Sequence, residues 1–141
     1  MDAETEATLR EIYADTKTIA VVGASDNPVK AGHYIPAYLH SQGYRVIPVN
    51  PKGGELFGEP VRPSLSDIGE SVDVVDVFRP PREGVAIARE AASIGAKVLW
   101  FQPGTSSEEA VQVGDDAGLT VIVEGCMGAL HGALGLGPGP D

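Results

Sequence analysis

Apolar residues along this chain follow two rhythms that alternate from end to end. Residues 3–14 carry Ala7, Leu9, Ile12 and Tyr13 at helical spacing, with Glu4 and Glu6 near the start, where a helix favours negative charge. Residues 17–22 read as a first strand, an apolar, β-branched run following Lys17. A second helix is expected to begin near His33 or Tyr34, because Pro36 is tolerated in a first turn, and Gly43 supplies its stop. Residues 44–50 are strand two, with Pro48 an uncomfortable guest for a central strand. A loop-rich stretch follows to Pro60, then a short helical turn near 64–68 and strand three at 72–78. An alanine-rich helix over about 82–94 closes at Gly95, and strand four covers 97–102. Ser106 and Glu109 have the spacing of a capping box that opens the next helix, which ends by Gly118 before strand five at 119–123.

Strands that alternate with helices predict an α/β protein: a Rossmann-like three-layer fold, with a five-stranded parallel sheet and helices on both faces. A length of 141 residues fits one domain, residues 1–141, with an N-terminal helix over 1–15 and a glycine-rich C-terminal tail over 127–141.

Charge narrows the partners. Twenty acidic against ten basic side chains leave a formal net charge of −10, a surface that repels nucleic acid and anionic lipid. No apolar run approaches the ~20 residues of a membrane span. The acidic first residues are the opposite of a targeting peptide, and Cys126, the single cysteine, allows no internal disulfide, so a cytoplasmic setting is expected. Three histidines and one cysteine, widely spaced, offer no metal signature.

In open α/β sheets ligands sit beyond the carboxyl ends of the strands. Here those ends are Gly23-Ala24-Ser25, Asn50-Pro51-Lys52, Phe78-Arg79-Pro80, Gln102-Pro103-Gly104 and Glu124-Gly125-Cys126, of which the first four look like a binding rim. An NAD(P)-binding oxidoreductase is the first reading to test. It requires G-x-G-x-x-G and an acidic residue at the end of strand two, about 20 residues on. Gly23 is followed by Ala24, Ser25 and Asp26, and Asn50 stands where the carboxylate belongs, so both halves of that signal fail. Ser25, Lys30, Lys52, Arg79 and Arg82 instead put a hydroxyl and four cations on or near the rim of an acidic protein. Such a set suits a ligand with more than one phosphate.

Four ordered motifs carry a resemblance: Val21-Val22-Gly23-Ala24-Ser25 with Pro28, the run from Gly43 to Pro51, the run from Asp73 to Pro80, and Trp100-Phe101-Gln102-Pro103-Gly104. Together they resemble the small stand-alone CoA-binding proteins, which are similar to the N-terminal CoA-binding domain of the succinyl-CoA synthetase α-subunit. The resemblance runs from about Lys17 to Cys126. It implies a Rossmann-like domain that binds coenzyme A or acyl-CoA at the carboxyl edge of the sheet. By position it implies that Gly23, Ala24, Ser25, Asp26 and Asn27 line the diphosphate turn with Lys30 near it. Asn50, Pro51 and Lys52 supply the phosphate cation, Phe78, Arg79 and Pro80 flank the adenine and ribose, and Gln102 and Gly104 lie near the pantetheine arm. Asp26 beside a phosphate departs from the family's glycine-richer turn, and Met127 to His131 replace its more polar continuation.

The synthetase reaction passes through a phosphorylated histidine in a further domain, and neither that domain nor a nucleotide-grasping one is expected within these 141 residues. The resemblance therefore implies a non-catalytic binding module, or alternatively an accessory subunit of an acyl-CoA ligase. It leaves room for a protein partner and does not set the oligomeric state. His33, His40 and His131 read as packed or solvated side chains. Cys126 could form a mixed disulfide with coenzyme A, but nothing in the sequence supplies it a base or an electropositive setting, so a structural role is the simpler reading. Asp73 and Asp76 fall on opposite faces of strand three, where structural roles suffice.

Overall fold

A computed structural model describes residues 1–139. Among them seven strands and five α-helices follow in the order α1 (Ala3–Asp15), β1 (Thr18–Val22), α2 (Ala31–Ser41), β2 (Arg45–Val49), β3 (Glu55–Leu56), β4 (Glu59–Pro60), β5 (Val74–Val77), α3 (Gly84–Ser93), β6 (Val98–Phe101), α4 (Glu108–Asp116), β7 (Thr120–Ile122) and α5 (Met127–Ala133). Five strands make one all-parallel sheet in the order β2-β1-β5-β6-β7, the expected Rossmann-like α/β architecture. The strand order reverses between β1 and β5. The chain leaves β1 to one side and returns on the other, which opens a crevice at their carboxyl ends.

Alternation along the strands sorts side chains into two cores. Ile19, Val21, Val46, Val74, Val98 and Trp100 face one side, covered by α1, α2 and α5 through Leu9, Ile12, Leu39 and Met127. Ala20, Ile47, Val75, Val77, Leu99 and Phe101 face the other, covered by α3 and α4 through Ile87, Ala88, Ala91 and Ala110. Both faces of the sheet are buried, as a parallel sheet requires. Asp73 ties the strand starts together by accepting from the amides of Lys17 and Thr18 at 2.9 and 3.0 Å. No helix of the described residues is long and apolar enough to cross a membrane.

Several local expectations need correction. Pro36 does not open α2: the helix starts at Ala31 and holds Pro36 inside it, buried. The amide that Pro36 lacks leaves Gly32 O free, and Ser25 N donates to it at 3.0 Å. Pro48 is comfortable because β2 is an edge strand. Its carbonyl points outward to Arg62 N at 3.0 Å, so the missing N–H faces outward too. The loop after β2 contains the β3–β4 hairpin, turned by Phe57 and Gly58, both at positive φ. A phenylalanine there gives no turn signal, and it is held by rings on α2, His33 at 5.4 Å between centroids. The cap of α4 is Ser107, whose hydroxyl accepts from Ala110 N at 3.1 Å, so Ser106 and Glu109 form no capping box. Residues 127–133, expected within a glycine-rich tail, form α5. Gly128 lets it approach α2 so closely that a Cβ would stand 3.0 Å from Ile35 Cγ2. The last two residues of that expected tail lie outside the described residues.

Candidate functional site

The β1/β5 crevice widens into a cleft of about 630 Å³. Gly23, Ala24, Ser25 and Asp26 line it from the β1 turn, Lys30, Ala31 and Gly32 from the start of α2, and Asn50, Pro51 and Lys52 from beyond β2. Phe78, Arg79 and Glu83 line it from beyond β5. Three of the four expected rim segments therefore meet on one concave surface.

The β1 turn is tight for identifiable reasons. Gly23 has φ +95°, and a Cβ there would meet Arg79 Cδ at 2.9 Å and Phe78 O at 3.0 Å. Gly32 packs still closer, since its Cβ would fall 2.6 Å from Gly23 O. Ser25 Oγ accepts from Asn27 N at 3.1 Å and Asn27 Oδ1 accepts from Val29 N at 3.1 Å, so the loop is pinned by its own side chains. His33 reaches Ser25 O through Nδ1 at 2.7 Å. The result presents the uncapped start of α2 to the cleft. Among the described residues no protein group accepts from the amides of Ala31 or Gly32. Free amides at the positive end of a helix suit an anion.

Asn50 clamps the neighbouring segment. Its Nδ2 donates to Ala24 O at 3.0 Å, while its Oδ1 accepts from Lys52 N at 2.8 Å and Gly53 N at 3.2 Å. The residue standing where a dinucleotide fold places its ribose carboxylate thus joins the β1 turn to the Lys52 loop. Arg79 is paired with Glu83, which raises the arginine's affinity for its proton and lowers that of the carboxylate.

The other expected site residues are placed differently. Asn27 belongs to the pinned loop and Pro80 precedes the 3₁₀ turn Pro81–Glu83, and neither lines the cleft. Gly104 lies exposed at the turn after β6. Gln102 turns its side chain inward, and its Nε2 donates to Asp76 Oδ1 at 2.6 Å. Asp76 is fully buried, its Oδ2 has no partner, and burial pushes its carboxyl up to about 7 against the pull of that hydrogen bond. Cys126 is half-buried at the start of α5. His131 is buried, its Nδ1 on Tyr38 Oη at 2.8 Å, and burial holds its pKa below the usual histidine range. Sequence reading missed Gly32 and Glu83. Gly32 stands four residues before Pro36, and Glu83 four after Arg79, and each spacing is a usable signal.

Fold and cleft define an open parallel α/β domain with an anion-suited crevice at its switch point. The chain belongs to the CoA binding domain family, whose model matches residues 17–132. Uncharacterized protein YneT of Bacillus subtilis (strain 168) is 37% identical over 131 residues, 93% of this chain and 97% of its own. A Thermus thermophilus structure described as cell-free ID.343 superposes with a TM-score of 0.88 at 40% identity, covering 95% of this chain and 99% of that one. The α-subunit of ADP-forming acetate–CoA ligase I of Pyrococcus furiosus is 33% identical over 95 residues, 63% of this chain. The match spans 21% of the subunit, so the chain is similar to about a fifth of it.

Proposed function

We propose that this protein binds coenzyme A or an acyl-CoA in the β1/β5 cleft and acts as a non-catalytic binding module. The observation that carries the reading is the meeting of the β1 turn, the free amides of α2 and the Lys52 loop at the switch point of a CoA binding domain family member. Lys30 and Lys52 supply positive charge beside those amides, and Val49, Pro51, Pro63 and Ile87 give the same cleft an apolar side. The dinucleotide alternative is weakened by Asn50, whose side chain is spent on three backbone groups. The single cysteine supports a reducing, cytoplasmic setting. Calorimetry with coenzyme A and 3′-dephospho-CoA tests the proposal: binding of coenzyme A supports it, and no heat from either overturns it.

A second reading, an accessory subunit of an acyl-CoA ligase, is favoured by the similarity to part of the acetate–CoA ligase α-subunit. Co-purification with a protein that carries ATP-binding and phosphohistidine domains would support it.

A further inference from the structure

Arg79 enters the cleft already engaged. Its Nε donates to Glu83 Oε1 at 3.0 Å and its Nη2 to Glu83 Oε2 at 2.7 Å, the bidentate edge that a guanidinium offers to a carboxylate or a phosphate. Glu83 lines the same cleft and is presented rigidly. It ends the 3₁₀ turn Pro81–Glu83, which Pro80 precedes and Pro81 opens, and its amide donates to Pro80 O at 2.9 Å. The arginine stem lies against Gly23, so the pair covers the switch point itself. Lys30 and Lys52, by contrast, have no carboxylate within ion-pair distance among the described residues.

We propose that Glu83 is a built-in stand-in for a ligand phosphate: its carboxylate holds the Arg79 fork in the free protein, and a phosphate of coenzyme A takes that fork from it. This rests on the coenzyme A reading above. The exchange forms no covalent bond and swaps one anion for another on the same two N–H donors. Its consequence is selectivity. A carboxylate tethered four residues from its arginine acts at an effective concentration in the millimolar range, so a free carboxylate of equal charge gains little by competing. A phosphate ester brings more charge and more acceptor oxygens, and it can win. A ligand without phosphate leaves the pair closed.

Glu83→Gln and Glu83→Ala test this by calorimetry at low salt, with coenzyme A and with pantetheine, which has no phosphate. Both variants are expected to bind coenzyme A about threefold to tenfold more tightly than the wild type, because a competitor and a neighbouring negative charge are gone. Any pantetheine affinity should be unchanged. In the wild-type protein, the Arg79 Nε–Hε resonance should shift as coenzyme A is added. Equal or weaker binding by both variants while the wild type binds, or an Arg79 resonance that stays fixed at saturation, overturns the stand-in and leaves the coenzyme A reading intact. No binding by any of the three proteins overturns both.

Discussion

Gly32→Ala is the sharpest probe of how the cleft is built. The added Cβ would stand 2.6 Å from the Gly23 carbonyl oxygen, and neither partner is a flexible side-chain end that can swing away. The start of α2 must retreat from the β1 turn, and that retreat strains the Ser25 N to Gly32 O bond, 3.0 Å long, that joins them. Overpacking of this kind costs about 1–3 kcal/mol. The better helix propensity of alanine returns up to about 1 kcal/mol. A net loss of about 1–2 kcal/mol corresponds, at this chain length, to a Tm lower by roughly 3–8 °C. The internal control is Gly132→Ala in α5, exposed and with only Tyr38 Oη at 3.6 Å, where the same propensity gain should raise Tm. Coenzyme A affinity should fall about tenfold in Gly32→Ala as the two free amides move, and stay level in Gly132→Ala. A Gly32→Ala protein that melts like the wild type and binds coenzyme A undiminished would refute the close-approach argument.

Lys52→Ala should weaken coenzyme A binding by about 1–3 kcal/mol, the value of a charge-assisted hydrogen bond, measured by calorimetry. Asn50→Ala should lower both Tm and affinity, since it unties the Ala24 carbonyl from the Lys52 loop; an unchanged affinity would show the clamp to be dispensable. Asp76→Asn should alter the pH dependence of stability. The buried carboxyl is raised to about 7, so the folded protein keeps a proton that the unfolded chain releases. Wild-type stability therefore falls as pH rises from about 4 through 7, and the variant should gain on the wild type by a few kcal/mol over that window in melts at matched ionic strength. His131, lowered by burial, works in the other direction: its contribution is lost as pH falls below about 6.5, and His131→Phe should flatten that acid limb.

The parallel sheet, its strand positions and the side on which a ligand could sit were legible because β-branched runs and their terminal turn residues are local signals. What failed to show was set by contacts distant in sequence. Helix α5 is short and glycine-rich, with no pattern of its own. It exists because Tyr13 Oη donates to Met127 O at 2.6 Å and because Met127 and His131 have a core to enter. The interior place of Pro36 does not show in the sequence because its compensation, an amide from eleven residues earlier, is invisible to any helix rule. Position at a strand end names candidate rim residues but does not reveal orientation. Gln102 sits at a strand end and still points to Asp76 in the core.

The absent dinucleotide fingerprint has a physical resolution. In G-x-G-x-x-G the first glycine makes the turn, the second admits the pyrophosphate, and the third lets helix and strand pack closely. Gly23, at φ +95° and hemmed by Arg79 and Phe78, does the work of the first. Gly32, with no room for a Cβ beneath Gly23 O, does the work of the third. They stand nine residues apart instead of five, and the longer loop between them is held by Ser25, Asn27 and the carbonyl that Pro36 leaves free. Ala24 is buried between the turn and the core while its segment still lines the cleft. The close backbone approach that the fingerprint encodes is therefore present at a different spacing. Asn50 stands where that fingerprint's ribose carboxylate would, clamped to three backbone groups, so on the coenzyme A reading proposed above the cleft would offer a place for phosphate without the acidic residue an NAD site uses.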